Sequence, residues 1–276
     1  MNGSESGIRG LTTEEVSRWS DFRKDYNADG WVKIPGLLNA EEIATIRAII
    51  EEARNREDFK PQAAGARADQ ALPEYRQILD IYRALWKGYP EIEQLIRRIA
   101  PYVGFLQGWE RTRLWQDRLF IKRGREFGSR PTAWHQDVNL PIDRRGWCTV
   151  WIAIVDVPKS KGPMTFVNGS HRLGSLGIVN QMEDKRDLSE ILEPQDWSVV
   201  RGCESGAPLA AGDATIHNML TLHRAGENTD IDDRIALALS FMDARQKFTG
   251  SPNPVTDGLG LKFGEPFDHE NFPIVA

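Results

Sequence analysis

The chain has little cysteine, no excess of basic charge and no long apolar run, and each absence removes a class of function. Two cysteines in 276 residues, Cys148 and Cys203, make no disulfide framework, and neither belongs to a C-x-x-C pair. Structural zinc and dithiol chemistry are therefore not expected, and a reducing cytoplasm fits. The 35 Lys and Arg against 40 Asp and Glu leave a net charge of −5, which gives no electrostatic basis for a nucleic-acid partner. No segment approaches about eighteen consecutive apolar residues, so no membrane span is expected. The opening MNGSESGIRGLTTEEVSRW is polar and lacks the apolar core of a secretory signal.

What is present is enough chain for a large core, and all-β barrels often reach this length as one domain, so residues 1–276 are read as a single unit. Residues 1–10, rich in Gly and Ser, are expected to be disordered. Apolar spacing predicts a helix over 14–30 ending at Gly30, then a strand in WVKIPGLL (31–38) closed by a Pro-Gly turn. Asn39 and Glu42 form a capping-box signature ahead of a helix whose Ile43, Ile46, Ile49 and Ile50 make one apolar stripe. Residues 57–72 read as a loop, and two further helices are expected over 74–87 and 90–101, the second after Pro90. Beyond residue 105 the pattern changes to short β-branched and aromatic runs. Strands are expected at 118–123, 133–138, 149–157, 164–170, 213–220 and 234–242. Such spacing favours a sandwich or barrel over a βαβ fold. One long connection, 172–206, is placed to hold a helix or a lid.

WHQDVNLP (134–141) supplies a His-x-Asp pair, and residues i and i+2 of a strand share a face, so one imidazole and one carboxylate can meet one metal ion. The candidates for a third ligand are His171, His217, His223 and His269. Two His and one carboxylate on one side of an iron leave three positions open, the facial arrangement of non-haem Fe(II) oxygenases. Against this stands the simpler reading of WHQD as a half-buried strand with a hydrogen-bonded His. His223 precedes Arg234 by eleven residues, and a hairpin would place both on adjacent strands. A guanidinium there suits a bidentate hold on the distal carboxylate of a dicarboxylic co-substrate. The competing reading of Arg234 is a surface salt bridge to Asp230, Asp232 or Asp233.

With WHQD, with VWIAIVDVPKSKGPMTFVNGSHRLG (150–174) and with LHRAGENTDIDDR (222–234), the chain resembles the phytanoyl-CoA dioxygenase family of Fe(II)/2-oxoglutarate oxygenases. The likeness runs from about Lys122 to the C-terminus and more faintly over 30–47. It implies a mainly β fold with flanking helices: a double-stranded β-helix, or jelly-roll, barrel of cupin type with the N-terminal helices packed outside. It matches His135, Asp137 and His223 to the iron ligands and Arg234 to the residue pairing with the 2-oxoglutarate side-chain carboxylate. Trp151 matches an aromatic lining the co-substrate pocket, and Thr149, on the same strand face, is placed to hydrogen-bond there. One departure is Ala225, where many relatives carry a Ser that assists the Arg.

The resemblance further implies Fe(II), 2-oxoglutarate and O2 as cofactors, with succinate and CO2 released and an unactivated C–H bond oxidised. Hydroxylation is the default, and desaturation or cyclisation are other outcomes. Asp137 argues against halogenation, since halogenating relatives carry a small residue in place of the carboxylate. Lys122, Arg123 and Arg125 read as a solvated charge run, the alternative being that they face an anionic group of the substrate. With the chain ending in FPIVA rather than a peroxisomal signal, a small biosynthetic intermediate is favoured over an acyl-CoA. The expected partner is thus a small molecule, with neither nucleic acid nor membrane, and nothing in the residues sets an oligomeric state. The alternatives are a cupin-type metal dioxygenase without 2-oxoglutarate and a non-enzymatic jelly-roll binding module.

Overall fold

A computed structural model describes residues 11–56, 62–63, 79–144, 146–177 and 186–276; the expectation of disorder over 1–10 lies outside them. The chain begins with α1 (Thr13–Asp29), β1 (Trp31–Ile34) and α2 (Ala40–Asn55), followed by β2 (Gln62–Ala63), β3 (Asp80–Arg83) and α3 (Pro90–Gln107). The β-rich part comprises β4 (Thr112–Lys122), β5 (Thr132–His135), β6 (Trp147–Ala153) and β7 (Met164–Val167). After a one-turn α4 (Leu188–Ile191) come β8 (Cys203–Ser205), β9 (Ala214–Asn218), β10 (His223–Ala225) and β11 (Arg234–Asp243). They form a seven-stranded sheet in the order β1-β9-β6-β11-β4-β3-β2 and a four-stranded sheet in the order β5-β10-β7-β8. Every pairing is antiparallel. This is the expected jelly roll with helices outside, but its two sheets are not hydrogen-bonded into a closed barrel.

Strand alternation divides the large sheet into two chemically different faces. On β11, Ile235, Leu237 and Leu239 join Leu119 and Ile121 of β4 and Val150 and Ile152 of β6 against the helices. There they meet Ile92, Ile96 and Ile99 of α3 and Ile46, Ile49 and Ile50 of α2. Each such side chain contributes roughly 1.5–3 kcal/mol on burial. The opposite face carries small or polar residues in the same strands: Ala236, Ala238 and Ser240 on β11, Thr149 on β6. Their small size leaves space between the sheets, closed in part by Trp31, Trp151, Met164 and Phe166.

Several elements differ from the sequence expectation. The span 74–87, expected as a helix, is in its described part strand β3 and a 3-10 turn at Leu85–Lys87. Here Ile81 and Tyr82 pair with Phe120 and Leu119, a tertiary partner that overrides local helical spacing. The helix after Pro90 runs on through Pro101 to Gln107 because Val103, Phe105 and Leu106 remain buried. The expected loop at 57–72 lies largely outside the described residues. In the long connection, Leu192 and Val200 pack with Trp134, Val167 and Leu222 on the outer face of the small sheet. Cys148 is buried and Cys203 exposed, both free. No described helix is long and apolar enough to cross a membrane.

Gly30 sets the angle between α1 and β1. It caps α1 in the left-handed region at φ +82, and a Cβ there would lie 2.4 Å from His171 Nδ1 and 2.5 Å from Thr221 Oγ1. Gly30→Ala should therefore lower stability by at least about 1–3 kcal/mol from backbone strain alone, with the collision adding to it. Urea unfolding measures the loss; an unchanged midpoint would show that β1 is not held at this junction.

Candidate metal centre

The small sheet brings the first two imidazoles together. His223 on β10 stands directly opposite His135 at the end of β5, and their ring centroids are 4.0 Å apart. Asp137 is not a strand residue: β5 ends at His135, and the next turn is fixed by Asp137 N–H donating to Met219 O at 2.9 Å. The expectation that His135 and Asp137 meet as neighbours on one strand face is thus replaced by a strand end followed by a pinned turn. His135, Asp137 and His223 each offer a ligand atom, and these atoms lie within 4.8 Å of one another.

The donor chemistry suits a metal ion. His135 Nδ1 bonds to Ala133 O at 2.9 Å and His223 Nδ1 to Thr221 O at 2.9 Å. With each Nδ1 carrying the proton, the Nε2 lone pairs face the shared space, the orienting device common at metal-bound histidines. Burial, reinforced by His223, pushes the His135 imidazole down to about 3; burial and His217 push His223 down to about 4. Both are neutral at physiological pH, the form that ligates. For Asp137, burial works toward a higher value, but the His217 hydrogen bond and the surrounding imidazoles outweigh it and hold the carboxyl far below the usual range.

His217, on β9 of the large sheet, points into the same space. Its Nε2 is 3.3 Å from Asp137 Oδ2, and its ring centroid is 4.4 Å from that of His223. The strand breaks between them, so His217 and His223 approach the cluster from opposite sheets. His171 is half-buried beside Gly30, and His269 caps a C-terminal turn through Asn271 N–H; neither joins the cluster.

Arg234 also lines this cavity, a space of about 500 Å³ open to solvent. It is 2% exposed, with its guanidinium 5.3 Å from the Trp151 ring centre and Nη1 donating to Gly162 O. Its Nε is buried with no partner. The surface salt bridge to a neighbouring Asp does not form; Asp233 instead meets Arg123 at 3.2 Å. The hairpin expectation also changes, because His223 and Arg234 sit in different sheets that face each other across the cavity. Trp151 and Thr149 both line it, with Thr149 Oγ1 at 3.4 Å from Ser240 Oγ. The run 122–125 is not uniformly solvated: Lys122 is fully buried opposite Arg234 and donates to Arg130 O at 2.7 Å.

Sequence reasoning missed His217 as a partner of Asp137, and also Thr132, which stands across from Ala225 and lines the cavity. No local pattern could have found Thr132, since only strand register places a hydroxyl opposite the alanine. Gln136, unremarkable in WHQD, is 1% exposed and ties this turn to Gly174 O and Leu220 O at 2.9 and 2.7 Å.

Removing the His217 contact should loosen Asp137 without removing a cluster donor. His217→Ala is expected to weaken Co(II) affinity by about 10–100-fold, read by titration against a chelator. Affinity equal to wild type would remove His217 from the site.

The comparisons agree with this geometry. The solved structure of SnoN, a non-haem alpha-ketoglutarate-dependent epimerase from nogalamycin biosynthesis, is similar at 27% identity and TM-score 0.76, covering 94% of this chain and 99% of that one. SnoN has also been solved with Fe3+, alpha-ketoglutarate and nogalamycin RO. SnoK, the carbocyclase from the same biosynthesis, is similar at 27% identity and TM-score 0.74, covering 98% of each chain. EctD from S. alaskensis, solved with 2-oxoglutarate and 5-hydroxyectoine, shares the fold at 16% identity and TM-score 0.64, covering 90% of this chain and 80% of that one. Comparison with curated proteins gives no match. The protein is an enzyme of the iron/2-oxoglutarate oxygenase superfamily, and the His135, Asp137 and His223 cluster fits its iron. Residues 26–236 match the family model for phytanoyl-CoA dioxygenase (PhyH), and the chain belongs to that family.

Proposed function

We propose that this enzyme uses Fe(II), 2-oxoglutarate and O2 to oxidise an unactivated C–H bond of a small-molecule biosynthetic intermediate, with hydroxylation as the outcome. The observation that carries the reading is a His-Asp-His cluster and a buried arginine with an unpartnered Nε in one cavity. In this reading His135, Asp137 and His223 hold the iron through two neutral imidazoles and one ionised carboxylate. Bound iron would activate O2, the oxidant, with 2-oxoglutarate giving two electrons as it leaves as succinate and CO2 and the substrate giving the other two.

The chain's own residues position and exclude. Arg234, held by Gly162 O and flanked by Trp151, takes the distal carboxylate of 2-oxoglutarate. Burial pushes its guanidinium down only to about 10, so it stays charged at neutral pH. Thr132 supplies the hydroxyl that Ala225 does not, and Thr149 adds a second hydroxyl to the cavity lining. Trp151 and Met164 line the cavity and limit the water in it, which strengthens every charge contact there. An arginine in this place also separates the reading from a cupin-type dioxygenase that uses no keto acid, which has no need of it. The whole described chain is proposed to act as one oxygenase domain.

A second outcome is favoured by two similar structures, an epimerase and a carbocyclase: hydrogen abstraction followed by inversion or ring closure. Succinate release with mass spectrometry of the product separates these. A gain of one oxygen marks hydroxylation, a loss of two hydrogens ring closure, and no change in mass inversion.

Anaerobic addition of Fe(II) and 2-oxoglutarate should produce the weak visible charge-transfer band of the chelate; a colourless, metal-loaded protein would sink the proposal. Arg234→Ala should raise the 2-oxoglutarate requirement by on the order of 30-fold or more, the cost of removing one partner of a buried charged pair. Its iron content should stay near that of wild type. Gly162 provides an independent check on the same contact. At φ +62 its Cβ would lie 2.3 Å from the Gly226 and Glu227 carbonyls, so Gly162→Ala should displace the Arg234 acceptor and raise the same requirement. Unchanged co-substrate dependence in both variants would take Arg234 out of the mechanism.

A further inference from the structure

A second arginine enters the cavity from a different strand, and the reading above gives it no task. Arg118 lies on β4 opposite Ala238, in one row across the sheet with Trp151, and lines the cavity together with His135 and Asp137. Arg234 pairs with Lys122, so the two arginines start four residues apart along β4, roughly 13 Å at about 3.3 Å per residue. Their backbone positions are thus well apart along the sheet.

Little in the protein satisfies Arg118. Its Nη2 donates to Ser240 Oγ at 3.0 Å, and its guanidinium lies 5.0 Å from the Phe120 ring centre. Its Nε is buried with no partner. Among the described residues no carboxylate reaches it at ion-pair distance. The acidic groups that act on it from further off are Asp137, assigned to the iron, and Asp117, which accepts from Trp86 N–H at 3.3 Å. Arg83, its cross-strand neighbour on β3, adds like charge. A half-buried cation with an unpartnered Nε and no carboxylate at ion-pair distance is costly unless a ligand completes it.

The charge of the loaded cavity says which ligand. On the reading proposed above, the ferrous ion, Arg118 and Arg234 bring four positive charges, while Asp137 and the dianionic keto acid bring three negative ones. One positive charge is left after both carboxylates of 2-oxoglutarate are counted, and Arg224, which also lines the cavity but is exposed to solvent, adds to the excess. We propose that the primary substrate carries a carboxylate that pairs with the Arg118 guanidinium where it lines the cavity, making Arg118 the residue that selects an anionic substrate. The planar fork of a guanidinium matches a carboxylate through two parallel hydrogen bonds, a fit that the point charge of lysine lacks. Ser240 Oγ accepts from Nη2 and helps hold the guanidinium plane.

The test uses the anaerobic Fe(II) and 2-oxoglutarate complex, with benzoate as probe and benzamide as its neutral counterpart, read by thermal shift and by perturbation of the visible band. Wild type should respond to benzoate and not to benzamide. Arg118→Gln should weaken the benzoate response by roughly tenfold or more, as expected for a lost charge-assisted hydrogen bond, and Arg118→Lys should retain part of it. Both variants should bind 2-oxoglutarate within about threefold of wild type. Three results would overturn the proposal: no discrimination between benzoate and benzamide by wild type, loss of the band on adding benzoate, or a large fall in 2-oxoglutarate affinity in Arg118→Gln. The last would assign the guanidinium to the co-substrate's own C1 carboxylate. Absence of the band in wild type before any probe is added would instead sink the oxygenase reading itself, so the two failures are distinct.

Discussion

The pairing of His223 with His135 across β10 and β5 is the contact on which the rest of the site depends. It fixes two imidazoles at a 4.0 Å ring separation and sets the register of the small sheet, so a slip of one residue would turn both rings out of the cavity. Everything else converges on that pair. Met219 O pins the Asp137 backbone, His217 reaches across from the large sheet to its carboxylate, and Gln136 anchors the turn between them. Four polar side chains from two sheets thus share one buried volume, with hydrogen bonds fixing the orientation of each.

Such a cluster is tolerable because the protein places its hydrophobic core elsewhere. The helix-facing side of the large sheet buries the long aliphatic side chains of β4, β6 and β11 against α1, α2 and α3. The cavity-facing side of the same strands is left to Ala236, Ala238, Ser240, Thr149 and the charged residues. One face supplies stability, and the other holds arginine and lysine in an environment of low dielectric. In that environment a charge without a partner is expensive, and the unpartnered Nε atoms of Arg118 and Arg234 leave that cost for a bound anion to offset.

Much of the architecture was legible because it is local. The Asn39 and Glu42 capping box forms as the pattern required, Gly30 ends α1 in the left-handed conformation, and the strands of the β-rich part fall close to their apolar runs. The helix expected at 74–87 was not legible correctly, because Asp80–Arg83 takes its hydrogen bonds from β4, a partner some forty residues away. Likewise Lys122 read as a surface charge although it is wholly buried. A lysine's composition says nothing about which face of its strand is covered.

By itself the sequence determined which chemical groups are available: a His-x-Asp pair, a later His, an arginine eleven residues beyond it, and an alanine where a hydroxyl is common. From the residues alone it could not choose the third ligand among four candidate histidines, nor say that Asp137 lies beyond a strand end. Tertiary structure alone decided that His217 supports Asp137, that Thr132 stands opposite Ala225, and that Arg118 and Arg234 enter one cavity from different points. The physical reason is that these relations are set by strand register and by two sheets facing each other. Both are long-range quantities that no window of neighbouring residues encodes.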